Sequence, residues 1–256
     1  MTNRYAELLP AEFERYFEPF LGGGAVFFHL QPNDAVLADK NGELINVYRQ
    51  IKEHWRELEK ALRRHQALHS KEYYYEERSR LRRSPIQRAA QFLYLNRTCW
   101  NGLYRVNRRG EFNVPIGTKS TVVLDTDDFD FTSALLKNVK LKVADFEKTL
   151  NEAEKGDFAF IDPPYITRHN FNGFVKYNED IFSWADQERL VEAVKRAAKR
   201  GVKVLVTNAA HDSIRQLYKG IGRHRDIDRA SVLAADSANR GITTEIAIIL
   251  NYEISR

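Results

Sequence analysis

Short runs of apolar residues alternate with longer amphipathic stretches along most of this chain. Apolar runs of this length, bounded by polar residues or glycine, are typical of strands buried in a parallel sheet. The pattern predicts strands at residues 16–18, 35–38, 139–143, 158–161, 203–206 and 245–250. We expect the last of these strands to pair antiparallel.

Helices are predicted between the strands from their apolar spacing and end signals. The stretch 43–64 has apolar residues three and four positions apart: Leu44, Val47, Ile51, Trp55, Leu58 and Leu62. Ser84 before Pro85 is a helix-start signal, and Gly201 is a helix-stop signal. Together these features predict helices at residues 25–30, 43–64, 85–96 and 187–200.

Alternating strands and helices indicate an α/β fold with a doubly wound, Rossmann-like sheet. Residues 51–135 interrupt the alternation, because they contain helical and turn-rich sequence without a predicted strand. We therefore expect one domain made of residues 1–50 and 136–256, with residues 51–135 as an inserted, mostly helical lobe.

The composition narrows the class of protein. A chain of 256 residues with 43% hydrophobic content can form a large core. The single cysteine, Cys99, excludes an internal disulfide framework and suits a reducing compartment. No apolar stretch approaches the ~18 residues of a membrane span, and the N-terminus lacks the apolar region of a signal peptide. We expect a cytoplasmic protein and assume a monomer.

The net charge of +5 is concentrated in one part of the inserted lobe. Between Glu76 and Gly110 the chain has nine arginines, two acidic residues and no lysine. The planar fork of arginine suits phosphate oxygens and guanine edges, and aromatic residues such as Trp100 are interleaved with it. A solvated basic face is the alternative, but the clustering favours a nucleic-acid surface.

The tetrapeptide Asp162-Pro163-Pro164-Tyr165 follows the predicted buried strand 158–161. It therefore lies at the carboxyl edge of the sheet, where open α/β sheets bind ligands. A carboxylate acceptor, proline carbonyls and a flat tyrosine ring can together hold a planar base that has an exocyclic amine. A simple surface turn is the alternative for such a sequence.

A glycine loop, Gly22-Gly23-Gly24, connects the first predicted strand to the first helix, and the second strand ends in Asp39. This layout is typical of nucleoside binding, in which an acidic residue binds ribose hydroxyls. The dinucleotide pattern requires a further glycine where this chain has Phe27. A nucleoside without phosphate therefore fits better than a dinucleotide, and a plain glycine-rich turn is the alternative.

Several motifs, in this order, resemble those of the Dam-type (alpha-class, D12) DNA adenine N6-methyltransferases. Residues 18–27, beginning Glu18-Pro19-Phe20, are similar to the cofactor loop of that family. Residues 92–97, 100–105 and 109–115 resemble its DNA-reading region, and residues 162–165 resemble its catalytic motif. The resemblance extends from about Leu8 to Tyr252.

The resemblance implies a cofactor, S-adenosyl-L-methionine, and no metal. The residues implied to bind the cofactor are Phe20, Gly22, Gly24, Asp39, Asp145, Phe146 and Asp162. In this interpretation Asp39 binds the ribose and Asp145, followed by Phe146, contacts the cofactor adenine. The catalytic residues are Asp162, Pro163, Pro164 and Tyr165, with Asp162 and the Pro163 carbonyl accepting from the N6 amine of an adenine flipped out of the duplex.

The resemblance also implies a double-stranded DNA partner and assigns DNA recognition to the lobe at residues 51–135. The residues implied to bind DNA are Arg97, Trp100, Asn101, Leu103, Arg105, Asn107, Arg109, Asn113 and Pro115. Arg105 is expected to read a guanine in the major groove, which favours GATC or a related site containing GAT. The aromatic residues of the stretch 167–182 suggest a lid over the base pocket, or else an ordinary loop.

The chain departs from the family at its start, where Met1-Thr2-Asn3-Arg4 replaces the usual Gly-Gly-Lys element. That element contacts the cofactor and DNA in the family, so the departure implies weaker cofactor binding. A DNA-binding relative with impaired catalysis is the alternative, and a methyltransferase acting on RNA or protein is a further one. His65 and His69 are four residues apart on a helix, but no acid or cysteine is placed to complete a metal site.

Overall fold

A computed structural model of the protein describes residues 5–107, 109–165, 182–230 and 242–254. The chain divides into two compact units, Met1–Lys40 with Ala144–Arg256, called here the sheet unit, and Asn41–Val143, called the lobe. The lobe is longer at both ends than the predicted insertion, because it includes the whole of the long helix that begins at Gly42 and the strand that ends at Val143.

Seven strands are present in the described residues: β1 (Tyr16–Glu18), β2 (Ala35–Asp39), β3 (Val139–Val143), β4 (Phe158–Ile161), β5 (Lys203–Ala209), β6 (Arg223–Ala230) and β7 (Ile242–Leu250). Strand β3 belongs to the lobe, and the six strands of the sheet unit are ordered β2-β1-β4-β5-β7-β6. Strand β1 pairs parallel with β2 and β4, and β4 pairs parallel with β5. Strand β7 is antiparallel to β5 and β6. The α/β fold class is confirmed, as is the antiparallel pairing predicted for the last strand.

Eight α-helices lie in the described residues: α1 (Ala25–Leu30), α2 (Gly42–Leu68), α3 (Lys71–Ser79), α4 (Pro85–Thr98), α5 (Phe129–Leu136), α6 (Phe146–Leu150), α7 (Trp184–Lys199) and α8 (Asp212–Leu217). The four predicted helices are confirmed as α1, α2, α4 and α7, with small differences at their ends. Helix α2 begins after Asn41, whose side-chain oxygen accepts from the backbone N–H groups of Glu43 and Leu44.

Four helices and one strand lie outside the predicted elements: α3, α5, α6, α8 and β6. These elements are short or lack a run of apolar residues. Helix α3 has only tyrosines as large apolar residues, and Ser70 caps it by accepting from the N–H of Tyr73. Strand β6 is an edge strand that consists mostly of charged residues and pairs with β7, so it lacks an apolar pattern.

Both faces of the central strands in the sheet unit are buried. On one face, Phe17, Ala159 and Val204 belong to the same core as Leu190 and Val194 of α7. On the other face, the rings of Tyr16 and Phe158 lie 5.8 Å apart, and both side chains are fully buried. Because successive residues of a strand point to opposite faces, burial on both sides explains the continuous apolar runs in the sequence.

A cluster of aromatic rings forms part of the core of the lobe. The ring of Tyr94 stacks on His65 with centroids 4.8 Å apart and contacts the rings of Tyr73 and Tyr74. The Tyr74 hydroxyl donates to the Val114 carbonyl at 3.0 Å. The cluster therefore holds the segment that contains the predicted DNA-reading residues.

That segment doubles back on itself as an antiparallel pair. Isolated bridges join Cys99 to Ile116 and Val106 to Phe112. Residues 110–116 therefore form one arm of a hairpin. Gly117 closes the pair, and a Cβ atom at this position would lie 2.4 Å from the Cys99 carbonyl oxygen.

We predict that Gly117→Ala destabilises the lobe by about 1–3 kcal/mol, because the added methyl group forces the Cys99 carbonyl to move. The measurement is thermal denaturation followed by circular dichroism. Gly23→Ala is the control, since a Cβ there meets no atom within 4 Å. An unchanged midpoint in Gly117→Ala would show that the hairpin tolerates the methyl group.

Candidate active site

A cavity of about 480 Å³ opens at the carboxyl ends of β1, β2 and β4 in the sheet unit. Each of these strands contributes a carboxylate where it ends: Glu18, Asp39 and Asp162. All the residues predicted for catalysis and cofactor binding line this cavity: Phe20, Gly22, Gly24, Asp39, Asp145, Phe146, Asp162, Pro163, Pro164 and Tyr165. Parallel pairing brings them together, because the carboxyl ends of parallel strands share one edge.

The glycine loop forms one wall of the cavity. Gly22 and Gly24 adopt φ angles of +47° and +63°, a region that favours glycine. The Gly22 N–H donates to Oδ2 of Asp39 at 3.2 Å, which ties the loop to the end of β2. A Cβ at Gly22 or Gly23 would meet no atom within 4 Å, so a ligand can approach the backbone closely there.

Aromatic rings form the opposite, apolar part of the wall. Phe20 stacks on Phe146 with centroids 5.4 Å apart, and Phe182 meets Phe20 edge-on at 5.5 Å. Asp145 caps α6 by accepting from the Glu147 N–H, and its Oδ1 also accepts from Arg189 at 2.7 Å. The cavity therefore offers flat apolar faces beside a fixed carboxylate, which suits a planar base.

Glu18 is buried and lines the cavity, and no individual role was predicted for it from the sequence. Burial, with a smaller contribution from the negative charges of Asp162 and Asp39, raises the pKa of Glu18 to about 8 against the opposing effect of a hydrogen bond from Tyr16 at 2.9 Å. Its position directly before Pro19 and Phe20, at the start of the cofactor-loop motif, is the sequence feature that could have indicated a role in the site. A strand-end carboxylate beside a glycine loop is a candidate for contact with the ligand.

The catalytic tetrapeptide is held by hydroxyl groups. Oδ1 of Asp162 accepts from Oγ1 of Thr207 at 2.6 Å and from the Tyr165 hydroxyl at 3.1 Å. Burial, followed by the charge of Asp162, holds the pKa of Tyr165 well above its usual range, so its hydroxyl stays protonated and able to donate. Thr207 lies on β5, far along the chain from this motif, so no local sequence pattern indicated its contact with Asp162.

Negative charge dominates the cavity lining. Six carboxylic acids line it, and Lys40 is the one lysine or arginine among the described lining residues; the acids are Glu18, Asp39, Asp145, Asp162, Asp186 and Glu245. The Tyr5 hydroxyl donates to Oε2 of Glu245 at 2.7 Å, also at the cavity wall. This charge balance favours a ligand that is itself positively charged.

The residues predicted to bind DNA all lie in the lobe. Trp100 is 47% exposed, and Asn101 beside it has a left-handed backbone with φ of +55°. Pro115 and Arg109 are exposed, whereas Leu103 is half-buried. The hairpin thus presents an aromatic ring and an arginine to solvent.

Other predicted DNA-binding residues already have partners inside the lobe. Nε of Arg105 donates to Oδ1 of Asn113 at 2.8 Å, which orients the guanidinium along the hairpin. Asn107 donates to a carboxylate oxygen of Glu111 at 2.8 Å. Arg97 donates to Asp127 at 2.6 and 2.8 Å and to the Val122 carbonyl. These bonds give Arg97 a structural role that the sequence analysis did not foresee.

Other observations limit the chemistry that the described residues offer. No group of three or more potential metal ligands occurs among them. Nδ1 of His65 is hydrogen-bonded to the Tyr73 hydroxyl, and Nδ1 of His69 to the Tyr94 hydroxyl. No helix in the described part of the chain is long and apolar enough to span a bilayer. The possible lid at residues 167–182 lies outside the described residues except for Phe182.

Comparison with known proteins agrees with this geometry. A model of the D12 class N6 adenine-specific DNA methyltransferase family matches residues 2–232. The type II methyltransferase M1.LlaDCHI of Lactococcus lactis subsp. cremoris is 41% identical over 254 residues, covering 96% of this chain and 89% of that protein. M.MjaIII of Methanocaldococcus jannaschii, also a type II methyltransferase, is 31% identical over 271 residues, covering 98% and 92%.

The DNA adenine methylase of Haemophilus influenzae is 30% identical over 226 residues, covering 86% of this chain and 79% of that protein. The chain therefore belongs to the D12 class of N6 adenine-specific DNA methyltransferases. It is an enzyme that acts on DNA, and the family resemblance stated from its motifs is confirmed.

The raised pKa of Glu18 predicts a pH dependence of stability. The unfolded chain releases this proton near pH 4.5 and the folded chain near pH 8, so the folded state binds more protons between these values. The free energy of unfolding should therefore fall as pH rises through this window. Glu18→Gln should remove that part of the fall, measured by denaturant titration at several pH values.

Glu12→Gln, at an exposed position, is the control for loss of a carboxylate and should keep the pH dependence. Equal pH slopes in Glu18→Gln and the unmodified protein would contradict the assignment.

Proposed function

We propose that this enzyme transfers a methyl group from S-adenosylmethionine to N6 of an adenine flipped out of duplex DNA. The observation that carries the proposal is the position of Asp162-Pro163-Pro164-Tyr165 at the rim of an acidic cavity whose other walls suit a nucleoside.

The lining of the cavity fits S-adenosylmethionine in charge and shape. Phe20 and Phe146 provide apolar faces for its adenine ring, with Asp145 placed beside them as an acceptor for the amine. Asp39 would accept from the ribose hydroxyls, and the open space at Gly22 admits the nucleoside close to the loop. The many carboxylates favour a cofactor that has an ammonium and a sulfonium group.

Glu18 fits the same cofactor for an electrostatic reason. A cation bound next to Glu18 would stabilise its ionised form, and so lower a pKa that burial holds near 8. Cofactor binding at neutral pH would then be accompanied by proton release from Glu18. The buried acid would therefore contribute to cofactor binding through its change of charge.

Asp162 and the Pro163 carbonyl would accept hydrogen bonds from the N6 amine of the target adenine. Such bonds favour tetrahedral character at N6 and direct its lone pair toward the methyl group. When bound, S-adenosylmethionine supplies that methyl group on an activated sulfonium sulfur. Tyr165 would stack on the base while its hydroxyl donates to Asp162. The adenine must leave the helix to reach this site.

The exposed side of the hairpin would provide DNA recognition. Arg105, oriented by Asn113, is the candidate for reading a guanine, and Trp100 with Asn101 would occupy or brace the gap left by the flipped base. Leu103 and Pro115 would pack against a thymine methyl or the base stack, while the exposed Arg109 would contact phosphate. Arg97 is not proposed to contact DNA, because its guanidinium is paired with Asp127. The proposed target is GATC or another site containing GAT.

The test is incubation of plasmid DNA with tritiated S-adenosylmethionine, followed by digestion with nucleases sensitive to adenine methylation. We expect label in DNA and protection at sites containing GAT. Asp162→Ala should lower methyl transfer by at least about 100-fold, since it removes the acceptor for N6, and should still bind DNA. Absence of label with the intact protein on any DNA would sink the proposal.

Thr207→Val should lower kcat about 10- to 100-fold, because it removes a hydrogen bond to a charged group while preserving shape. Thr207→Ser is the matched control and should retain most activity. Affinity for the cofactor should be similar in all three proteins. If Thr207→Val keeps the full kcat, the hydroxyl does not position Asp162.

A further inference from the structure

A second cavity, of about 570 Å³, lies within the lobe and has no part in the site above. Its walls come from the C-terminal half of α2, the residues between α3 and α4, and the start of α4. Apolar side chains such as Ala61, Leu68 and Ile86 line it together with basic residues. The arrangement of those basic residues indicates a ligand.

Four cationic side chains surround this cavity. Lys60 and Arg64 lie one turn apart on α2, are exposed, and have no ion-pair partner among the described residues. Arg82 is held in place by two hydrogen bonds to buried Glu77, at 2.6 and 2.8 Å, and Arg80 pairs with Glu76. Glu57 is the one acidic residue among the described lining residues, and because Arg80 and Arg82 are paired with glutamates, Lys60 and Arg64 provide the excess positive charge.

The start of α4 adds backbone donors to the same cavity. Ser84, Ile86 and Gln87 line it, and Ser84 is the N-cap residue. The Ser84 side chain makes no capping hydrogen bond. The first-turn N–H groups of Ile86 and Gln87 thus have no partner in the part of the chain that the structure describes, and Pro85 has no N–H to satisfy. Uncapped N–H groups at the start of a 14-residue helix attract anions.

His65 supplies an oriented donor from the wall of the cavity. His65 is only 6% exposed, and its Nδ1 forms a hydrogen bond with the Tyr73 hydroxyl at 2.8 Å. Nε2 has no partner among the described residues and is not among their fully buried unpartnered atoms, and His65 is one of the residues that line the cavity. Burial lowers the pKa of His65 to about 4. In the tautomer with its proton at Nε2, Nδ1 accepts from the Tyr73 hydroxyl and Nε2 would donate to a bound anion.

We propose that this cavity is a phosphate-binding site. Arginine forks, a lysine, a serine hydroxyl, helix N–H groups and a histidine N–H converge there from three segments of the lobe, and the tetrahedral oxygens of phosphate accept from several directions at once. The source of the phosphate is the backbone of DNA, because the chain belongs to a family that acts on DNA and Arg80 and Arg82 of the cavity belong to the arginine-rich stretch of the lobe. Free inorganic phosphate would meet the same donors.

The test compares Lys60→Gln/Arg64→Gln with Arg63→Gln. Arg63 is the neighbouring exposed residue on α2, but it pairs with Glu59 and does not line this cavity. Lys60 and Arg64 lack partners among the described residues, so their replacement should leave the fold and its melting temperature unchanged. DNA affinity is measured at several salt concentrations for a non-specific duplex, in the absence of cofactor. Inorganic phosphate is titrated separately at constant ionic strength while the amide NMR signals of Ile86 and Gln87 are followed.

We expect phosphate to shift these amide signals in the unmodified protein and in Arg63→Gln, but not in the double variant. The slope of log affinity against log salt should fall by about one for each lost phosphate contact in the double variant only. Loss of the amide shifts with an unchanged salt slope would support the site but identify free phosphate as its ligand. Absence of amide shifts in the unmodified protein, or an equal change of slope in Arg63→Gln, would overturn the proposal.

These measurements need no methyl transfer, so their outcome is independent of the roles proposed for Asp162 and Tyr165. An inactive enzyme that shifts the Ile86 and Gln87 signals with phosphate would leave this site standing. An active enzyme whose Ile86 and Gln87 signals do not shift with phosphate would support the proposed methyl transfer and contradict the phosphate site.

Discussion

The parallel pairing of β1 with β2 and β4 is the constraint on which the candidate active site depends. It places the ends of three strands at one edge of the sheet, and each end has a carboxylate. Gathering like charges costs free energy, and at Glu18 the neighbouring carboxylates add to the larger effect of burial in raising the pKa. Hydrogen bonds from the Gly22 N–H and the Thr207 hydroxyl offset part of that cost at Asp39 and Asp162. A positively charged ligand would offset more of it.

The two units use charge in opposite ways. The cavity of the sheet unit is acidic, whereas the arginine-rich part of the lobe is basic. A basic lobe suits a polyanionic partner, and an acidic cavity suits a cationic cofactor. Some arginines of the lobe also stabilise its structure, since Arg82 forms a salt bridge with Glu77 and Arg97 forms one with Asp127. A count of arginines therefore overstates the number available to contact DNA.

The central strands and the amphipathic helices could be predicted because their apolar spacing follows from burial. The motifs at residues 18–27 and 162–165 were also sufficient to predict which residues share the cavity, since strand order and parallel direction bring such motifs together. Elements without an apolar run, such as α3 and β6, could not be predicted, because a cap or an edge pairing stabilises them instead.

The sequence by itself determined the α/β class, the family and the residues of the two motifs that line the cavity, because each is encoded in local patterns or contiguous motifs. Only the tertiary structure decided which distant side chains form hydrogen bonds with the carboxylates of the cavity. Thr207 reaches Asp162 from a different strand, and Tyr5 reaches Glu245 across nearly the whole chain. The environment of Glu18 and the convergence of Lys60, Arg82 and Ser84 on one cavity likewise arise from packing, since burial and long-range proximity have no signature in local sequence.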